Sequence, residues 1–318
     1  MRSERGFALL SVMLVLALLA VVVTEFAMST RLESSMIRAY RDGVLATHLA
    51  EAGVQQALRE ILGPATVVAL DADGTLTFYR TSDPAATPVK VSHLQRQRVP
   101  LGAGEFSYRI SDEEARINVN TATPDRIASL LSSVGLDKQT RDVVGDSLQD
   151  WKDPDDLHRT NGAESEDYYL KLPVPYRARN GALQDTAELL QIRGITREIY
   201  TGAEGRAGLA DLVTVVGRDT VNMNTAAPGV LTALGLSAAE ISEIVAARAR
   251  APYATVPARF AGKGLGVGSA TFRIEAEGRV GGEPRARLVA IVQRQAQLAV
   301  TGAASFKTAV LSWRPGEP

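Results

Sequence analysis

The chain has 318 residues, with 35 Lys and Arg against 36 Asp and Glu, three His and no Cys. Without cysteine there is no disulfide, thiolate zinc site, Cys nucleophile or iron–sulfur cluster, and a formal charge of −1 gives no overall pull toward nucleic acid or anionic lipid. A composition of 45% hydrophobic and 22% charged residues is that of a globular protein, and the length suits two modules of about 150 residues.

The first element is an apolar run. A short head carries Arg2 and Arg5 against Glu4, and from Phe7 to Val23 only Ser11 is polar. Past Thr24 and Glu25 the run reaches Met28, about 22 residues, which at about 1.5 Å per residue spans a bilayer core. Basic residues tend to stay cytoplasmic, so the head is predicted inside and the rest outside. A cleaved secretory signal is one reading, because Ala27-Met28-Ser29 offers small residues, although the run is long for an h-region of about 7–15. A plain signal anchor is a second. A third comes from the Gly6-Phe7 junction, where a charged leader ends in Gly and the apolar helix begins at once. That junction resembles the processing site of type IV pilins and pseudopilins, which implies a leader of residues 1–6, prepilin peptidase cleavage between Gly6 and Phe7, and methylation of Phe7.

The residues that follow favour the third reading. Met28, Leu32, Met36, Tyr40, Val44, Val54, Leu58 and Leu62 recur mainly at fours, with Ile37, Leu45, Leu49 and Ile61 beside them, one apolar stripe on a helix that continues the membrane segment. Gly43 and Gly53 are points where that helix is expected to bend. Ser11 is a departure, since most subunits of such filaments carry Glu at the fifth position after the cleavage point.

Residues 63–117 read as short strands and turns. A hairpin is predicted over 66–80 about Asp71-Ala-Asp-Gly74, followed by loop over 81–104 and a half-buried strand over 105–110. Then Ile117-Asn-Val-Asn-Thr-Ala-Thr-Pro124 recurs as Val221-Asn-Met-Asn-Thr-Ala-Ala-Pro228, each ahead of a leucine-rich helix and a Gly-Leu turn, with a related cadence at 186–196. The Asn and Thr side chains suit capping ahead of a Pro-initiated helix, so three helical hairpins are predicted. Such hairpins resemble the helix–hairpin–helix DNA-binding module, which wants a Gly-x-Gly turn facing a phosphate. Here Gly135-Leu136-Asp137, Gly194-Ile195-Thr196 and Gly235-Leu236-Ser237 each lack the second Gly and the surrounding charge is mixed, so packing helices are the favoured reading and no nucleic-acid partner is expected.

Between the repeats lies the densest charge. Residues 150–167 hold Asp150, Asp153, Asp155, Asp156, Glu164, Glu166 and Asp167 against only Lys152 and Arg159, a net of −5. These are hard oxygen donors of the kind Ca2+ prefers, but the spacing is not that of an EF-hand. On the residues alone, a solvated acidic loop and a calcium site stand equal. The C-terminal part returns to sheet, with strands predicted at 271–280 and 285–292 about Gly281-Gly282-Glu283-Pro284 and a last strand at 308–313. Gly262-Lys-Gly-Leu-Gly-Val-Gly268 fits neither dinucleotide nor P-loop spacing and is read as a flexible linker. His48, His93 and His158 lie in separate segments, no Gly-x-Ser-x-Gly elbow occurs, and no catalytic set is recognisable, so no enzyme is predicted.

Asp150-Trp-Lys-Asp-Pro-Asp-Asp156, Arg159-Thr-Asn-Gly-Ala-Glu164, Tyr168-Tyr169, Pro173-Val-Pro-Tyr-Arg177 and Asn180-Gly181 together resemble the K-type minor pseudopilins of bacterial type II secretion. Asp112-Glu113 and Val310-Leu-Ser-Trp313 fit the same pattern, and K-type subunits typically lack the fifth-position Glu. The resemblance implies an α+β fold: a pilin-like long N-terminal helix packed on an antiparallel sheet, interrupted by a large all-helical insertion. The expected parts are a leader (1–6), a transmembrane part (7–28), the helix and first part of the head (29–117), the insertion with its acidic loop (118–215) and the second part of the head (216–318). It further implies a structural Ca2+ held by Asp153, Asp155, Asp156, Glu164 and Asp167. The implied partners are the I- and J-type minor pseudopilins, the major pseudopilin and the prepilin peptidase. The implied place is the inner membrane, N-terminus cytoplasmic and head periplasmic, with the subunit capping the pseudopilus tip for export of folded proteins. The alternative of another class is a DNA-uptake minor pilin that binds DNA through the hairpins.

Overall fold

The computed structural model describes residues 4–81, 83, 86–203, 205–298 and 304–316; Met1, Arg2 and Ser3 of the expected leader lie outside them. Helix α1 runs unbroken from Glu4 to Ile61, 58 residues and about 87 Å at the usual rise. It is the one helix among the described residues long and apolar enough to cross a membrane, and none of its most apolar window is buried.

Only the last quarter of α1 packs. Ala46, Leu49, Ala50, Val54, Ala57 and Ile61 are buried, whereas Met28, Leu32, Met36, Tyr40 and Val44 are exposed. The stripe seen in the sequence is therefore two surfaces: large apolar residues standing free, then a small-residue face on the sheet. Small residues let the helix come close. A Cβ on Gly53 would stand 3.2 Å from Ala276 Cβ, and one on Gly278 would overlap the Ala46 carbonyl. Gly53 thus serves close approach, not the expected bend.

Strands β1 (Val67–Leu70) and β2 (Leu76–Arg80) form the expected hairpin, extended by β3 (Val89–Lys90). Strands β4 (Val99–Leu101) and β5 (Gly104–Asp112) begin the main sheet. The helical layer follows: β6 (Ile117–Asn118), α2 (Pro124–Ser133), α3 (Lys138–Lys152), α4 (Arg197–Thr201), α5 (Leu209–Leu212) and β7 (Val213–Thr214). It continues with β8 (Val221–Asn222), α6 (Pro228–Ala233), α7 (Ala238–Arg248) and β9 (Leu265–Gly266). Strands β10 (Thr271–Val280), β11 (Glu283–Leu298) and β12 (Ala304–Pro315) complete the sheet, antiparallel in order β12-β11-β10-β5-β4.

β5 and β10 are neighbours, with Ile274 opposite Ile110, although residues 113–270 intervene. The fold is α+β and pilin-like, one sheet under a long helix, with the helical layer inserted between two adjacent strands. Phe106, Tyr108, Ile110, Phe272, Ile274, Ala290 and Val292 meet α1 in the head core. A buried ion pair joins Arg96 to Glu60 of α1 at 2.7 Å, and Tyr108 donates to the same carboxylate. At the end of α1, Arg294 donates to the Ile61 carbonyl and lies over the Phe306 ring at 4.7 Å, satisfying a helix terminus with a cation.

The helical layer is larger than its expected 118–215. Its core runs from Ile117 to Leu265 and includes Met223, Val230, Leu231, Ile244 and Phe260. The second Asn-x-Asn-Thr segment belongs here because both segments do the same work. Asn120 Nδ2 donates to the Leu183 and Val215 carbonyls and its Oδ1 accepts from Leu183 N–H. Asn224 Nδ2 donates to the Tyr253 and Val267 carbonyls and its Oδ1 accepts from Tyr253 N–H. In each, the first Asn accepts from the second one's N–H, and a short parallel pair closes the unit: β6 with β7, β8 with β9. The glycine-rich stretch at 262–268 is accordingly not a free linker, since β9 lies in it and Leu265 is buried. The third hairpin is not formed as expected: residues Thr186–Gln191 are a 3-10 turn and α4 has five residues.

The joint between layers is a 3-10 turn at Glu113–Ala115 with three buried carboxylates. Asp112 accepts from Asn222 Nδ2, Thr225 Oγ1, Ser269 Oγ and Glu114 N–H. Glu113 is paired with Arg273 and accepts from Thr214; Glu114 is paired with Arg218 and accepts from Thr271. Each carboxylate therefore ties the exit of β5 to a segment more than a hundred residues away.

Candidate metal site

The acidic loop begins at the end of α3. Asp150 and Trp151 are in its last turn and Asp153 is its C-cap residue. Carboxylates at a helix C-terminus face the negative end of the peptide dipoles, so this placement needs a cation. Trp151 is buried edge-on against Tyr169 at 5.2 Å, and Tyr169 lies 5.2 Å from both Tyr168 and Tyr176. This aromatic wall fixes one side of the loop. Arg193 fixes another, donating to the Gly162 carbonyl with its guanidinium 4.8 Å from the Tyr168 ring centre.

Asp150 is wholly buried. It accepts from Arg159 N–H at 3.1 and 3.2 Å and pairs with Arg159 Nη1 at 2.6 Å. The same Nη1 is 2.6 Å from Asp153 Oδ2. Gly162 is required at this point, because a Cβ there would overlap the Asp150 carboxylate. Asp155 Oδ1 accepts from Leu157 N–H, and Asp156 Oδ1 accepts from Asn180 Nδ2. Asp167 is exposed and makes no hydrogen bond or ion pair among the described residues.

Glu164 is the anomaly. Its side chain is buried, and neither Oε1 nor Oε2 has a hydrogen-bond partner; Asp153 Oδ1 and Asn180 Oδ1 are also buried and unpartnered. Burial, then the charges of Asp150, Asp153 and Asp156, push the Glu164 carboxyl up to about 7. Buried oxygens without donors are costly, and a hard cation is what relieves them. Among the described residues no three Asp, Glu, His or Cys side chains stand close enough to hold an ion as placed. The donor types and the orphaned oxygens fit calcium, and two of the carboxylates that would share it, Asp150 and Asp153, are held by Arg159 instead. Of the residues the resemblance implies, the structure draws Asp153, Asp156 and Glu164 into one electrostatic group; Asp156 is exposed, as are Asp155 and Asp167, which stand outside that group. Asp150 and Asn180 belong to the group and were not among the implied ligands. Asn180 could have been noticed in the sequence, since Asn-Gly often marks a left-handed residue, and its φ is 49°.

The two helical hairpins carry acids at their tips. Asp137 caps α3 by accepting from Thr140 N–H, and Ser237 with Glu240 forms a capping box on α7. Those N–H groups are the ones a DNA-binding hairpin would turn toward a phosphate.

A family model described as type II secretion system, protein K, matches residues 108–206, which holds the joint, the acidic loop and the first unit short of its closing strand β7. The type II secretion system protein K of Pectobacterium carotovorum subsp. carotovorum is 31% identical over 220 residues, covering 63% of this chain and 61% of that one. Over this stretch the chain is similar to the type II secretion system protein K family. The match spans about three-fifths of that first relative, while the protein K of Klebsiella pneumoniae is 29% identical over 277 residues, 80% of this chain and 78% of its own. A chain in the crystal structure of the GspK-GspI-GspJ complex from enterotoxigenic Escherichia coli has a TM-score of 0.59 at 19% identity. It covers 91% of this chain and 99% of that one, a likeness of fold.

Proposed function

We propose that this chain is a minor pseudopilin that caps the tip of the type II secretion pseudopilus with I- and J-type subunits. The observation that carries this reading is the division of α1: an exposed apolar half for the membrane, an exposed stripe of Met28, Leu32, Met36, Tyr40 and Val44, and a final quarter bonded to the head. The exposed stripe is a surface for the helices of neighbouring subunits, and the complex named for the similar structure supplies the partners. The helical layer between β5 and β10 makes the head broad, so another subunit would not stack above it. Processing between Gly6 and Phe7 with methylation of Phe7, cytoplasmic entry of the N-terminus and a periplasmic head complete the scheme. In the acidic loop, Asp150, Asp153, Asp156, Glu164 and Asn180 would hold a structural calcium, with Asp155 and Asp167 as reserve donors nearby in sequence. When bound, the ion supplies charge compensation for the loop. Trp151, Tyr169 and Arg193 orient the loop's frame.

The test is co-purification in detergent of the full chain with I- and J-type subunits. A stable ternary complex is expected, lost in the double variant Leu32→Asp, Met36→Asp with the head's melting temperature unchanged. A complex indifferent to that variant, or no complex at all, contradicts the proposal.

A further inference from the structure

In the acidic loop a cation already occupies part of the place where an ion would be needed. Arg159 bridges Asp150 and Asp153 through a single nitrogen, Nη1, 2.6 Å from each carboxylate. Its own backbone N–H also donates to both oxygens of Asp150, so the main chain holds the residue in register with the carboxylate it neutralises. Asp150 is 0% exposed, and a buried carboxylate with no counter-charge is among the most expensive groups in a protein. No other cation replaces Arg159 here among the described residues. Lys152 donates to the Val119 carbonyl, Arg193 to the Gly162 carbonyl, and Arg177 pairs with Glu166.

The guanidinium compensates Asp150 and half of Asp153 and no more. Asp153 Oδ1, Asn180 Oδ1 and both oxygens of Glu164 remain buried without a donor. A planar fork serves oxygens along its edges, whereas Ca2+ gathers six to eight oxygens from all directions. Arg159 also has a way out: its side chain is 42% exposed and can leave for water without disturbing the buried wall of Trp151 and Tyr169.

We propose that Arg159 is an internal cation that keeps the acidic loop folded without calcium and is displaced from Asp150 and Asp153 when calcium binds. Its displacement sets the affinity of the site. The proposal rests on the calcium reading above and adds a regulator to it. It also accounts for carboxylates that lie near one another without converging: two of them are turned to Arg159.

The test uses the full chain in detergent, stripped with chelator and titrated with CaCl2 in a calorimeter, beside Arg159→Gln and Arg159→Lys. Freed of its competitor, Arg159→Gln binds calcium roughly tenfold more tightly, the scale of losing one charge-assisted contact. At the same time its calcium-free form melts lower than wild type, and the calcium-loaded forms melt together. Arg159→Lys falls between. A simple structural role would weaken both stability and binding, so opposite movements identify the competitor. Should Arg159→Gln fail to stay folded without calcium, the protein is purified loaded and its calcium release into excess chelator is timed; slower release than wild type supports the proposal. Equal or weaker binding by Arg159→Gln, or equal or faster release from the loaded variant, overturns it while wild-type binding keeps the calcium reading intact. No binding by any of the three proteins removes the calcium reading and the proposal together.

Discussion

In the second Asn-x-Asn-Thr unit, residues 249–264 bring the chain from α7 straight back to β9, and in the first, residues 153–212 wander through the acidic loop before reaching β7. The closing frame is shared. The second Asn of each segment makes the same three bonds, and a cation at the end of the second helix returns to the carbonyl between the two Asn residues. Lys152 donates to the Val119 carbonyl, and Arg248 donates to those of Met223 and Ala226. The comparison separates scaffold from addition. The second unit closes on the Asn224 bonds and the β8–β9 pair, and the excursion of the first unit is what brings in the acidic charge.

The largest expected effect is at the shared Asn. Asn224→Ala leaves two carbonyls and an N–H without partners in a buried site, which at about 1–3 kcal/mol each should lower stability by roughly 3 kcal/mol or more. Asn120→Ala, half-buried, should cost somewhat less by chemical denaturation of the full chain. Equal frames require both to be costly; a neutral Asn120→Ala would mean that the first unit is held by its loop.

Next is the joint, which belongs to neither unit. Burial pushes the Asp112 carboxyl from 3.8 up to about 6, against four donors that favour the charged form. A raised acid pKa means that the folded state binds the proton more tightly, so its contribution is present below pH 4 and is lost as pH rises through about 6. At about 1.4 kcal/mol per unit, that is of order 3 kcal/mol between pH 4 and 7. The pH dependence of unfolding should show this slope in the wild type and lose it in Asp112→Asn.

A smaller effect is confined to the first unit. Gly162→Ala places a methyl group against Asp150 and should cost about 2 kcal/mol, an overpacking penalty, together with calcium binding. The matching control, Gly229→Ala on α6, meets only Leu212 at 3.2 Å and should be nearly neutral. Smallest is chelation itself, which should lower the melting temperature by a few degrees, about 1 kcal/mol or more. An unchanged value would leave the loop a solvated acidic turn.

Much of this frame was legible in the sequence. Apolar length and stripe gave α1, the Asp-Ala-Asp-Gly turn gave β1 and β2, and alternation gave β5 and β10 to within a residue or two. What sequence reasoning missed depended on tertiary partners. The buried face of α1 sets Ala46, Ala50, Gly53 and Ala57 among Leu49, Val54 and Ile61, and the small residues carry little hydrophobic signal because closeness to the sheet matters at those positions more than side-chain size. The extent of the helical layer was missed because β6 to β9 are two residues each, too short for periodicity, and are closed by Asn side chains instead. In the acidic loop the carboxylates were visible as composition. That Asp150 would be buried, Glu164 unpartnered and Arg159 shared between two acids depends on how the chain folds back past Gly162.

The most direct test of the account is the mass of the mature full chain expressed with and without prepilin peptidase. With the peptidase, the account predicts loss of Met1 to Gly6 and gain of one methyl group on a new N-terminal Phe7; without it, neither change. An N-terminus identical in both, or cleavage near Ser29 that cuts α1 in two, would contradict it.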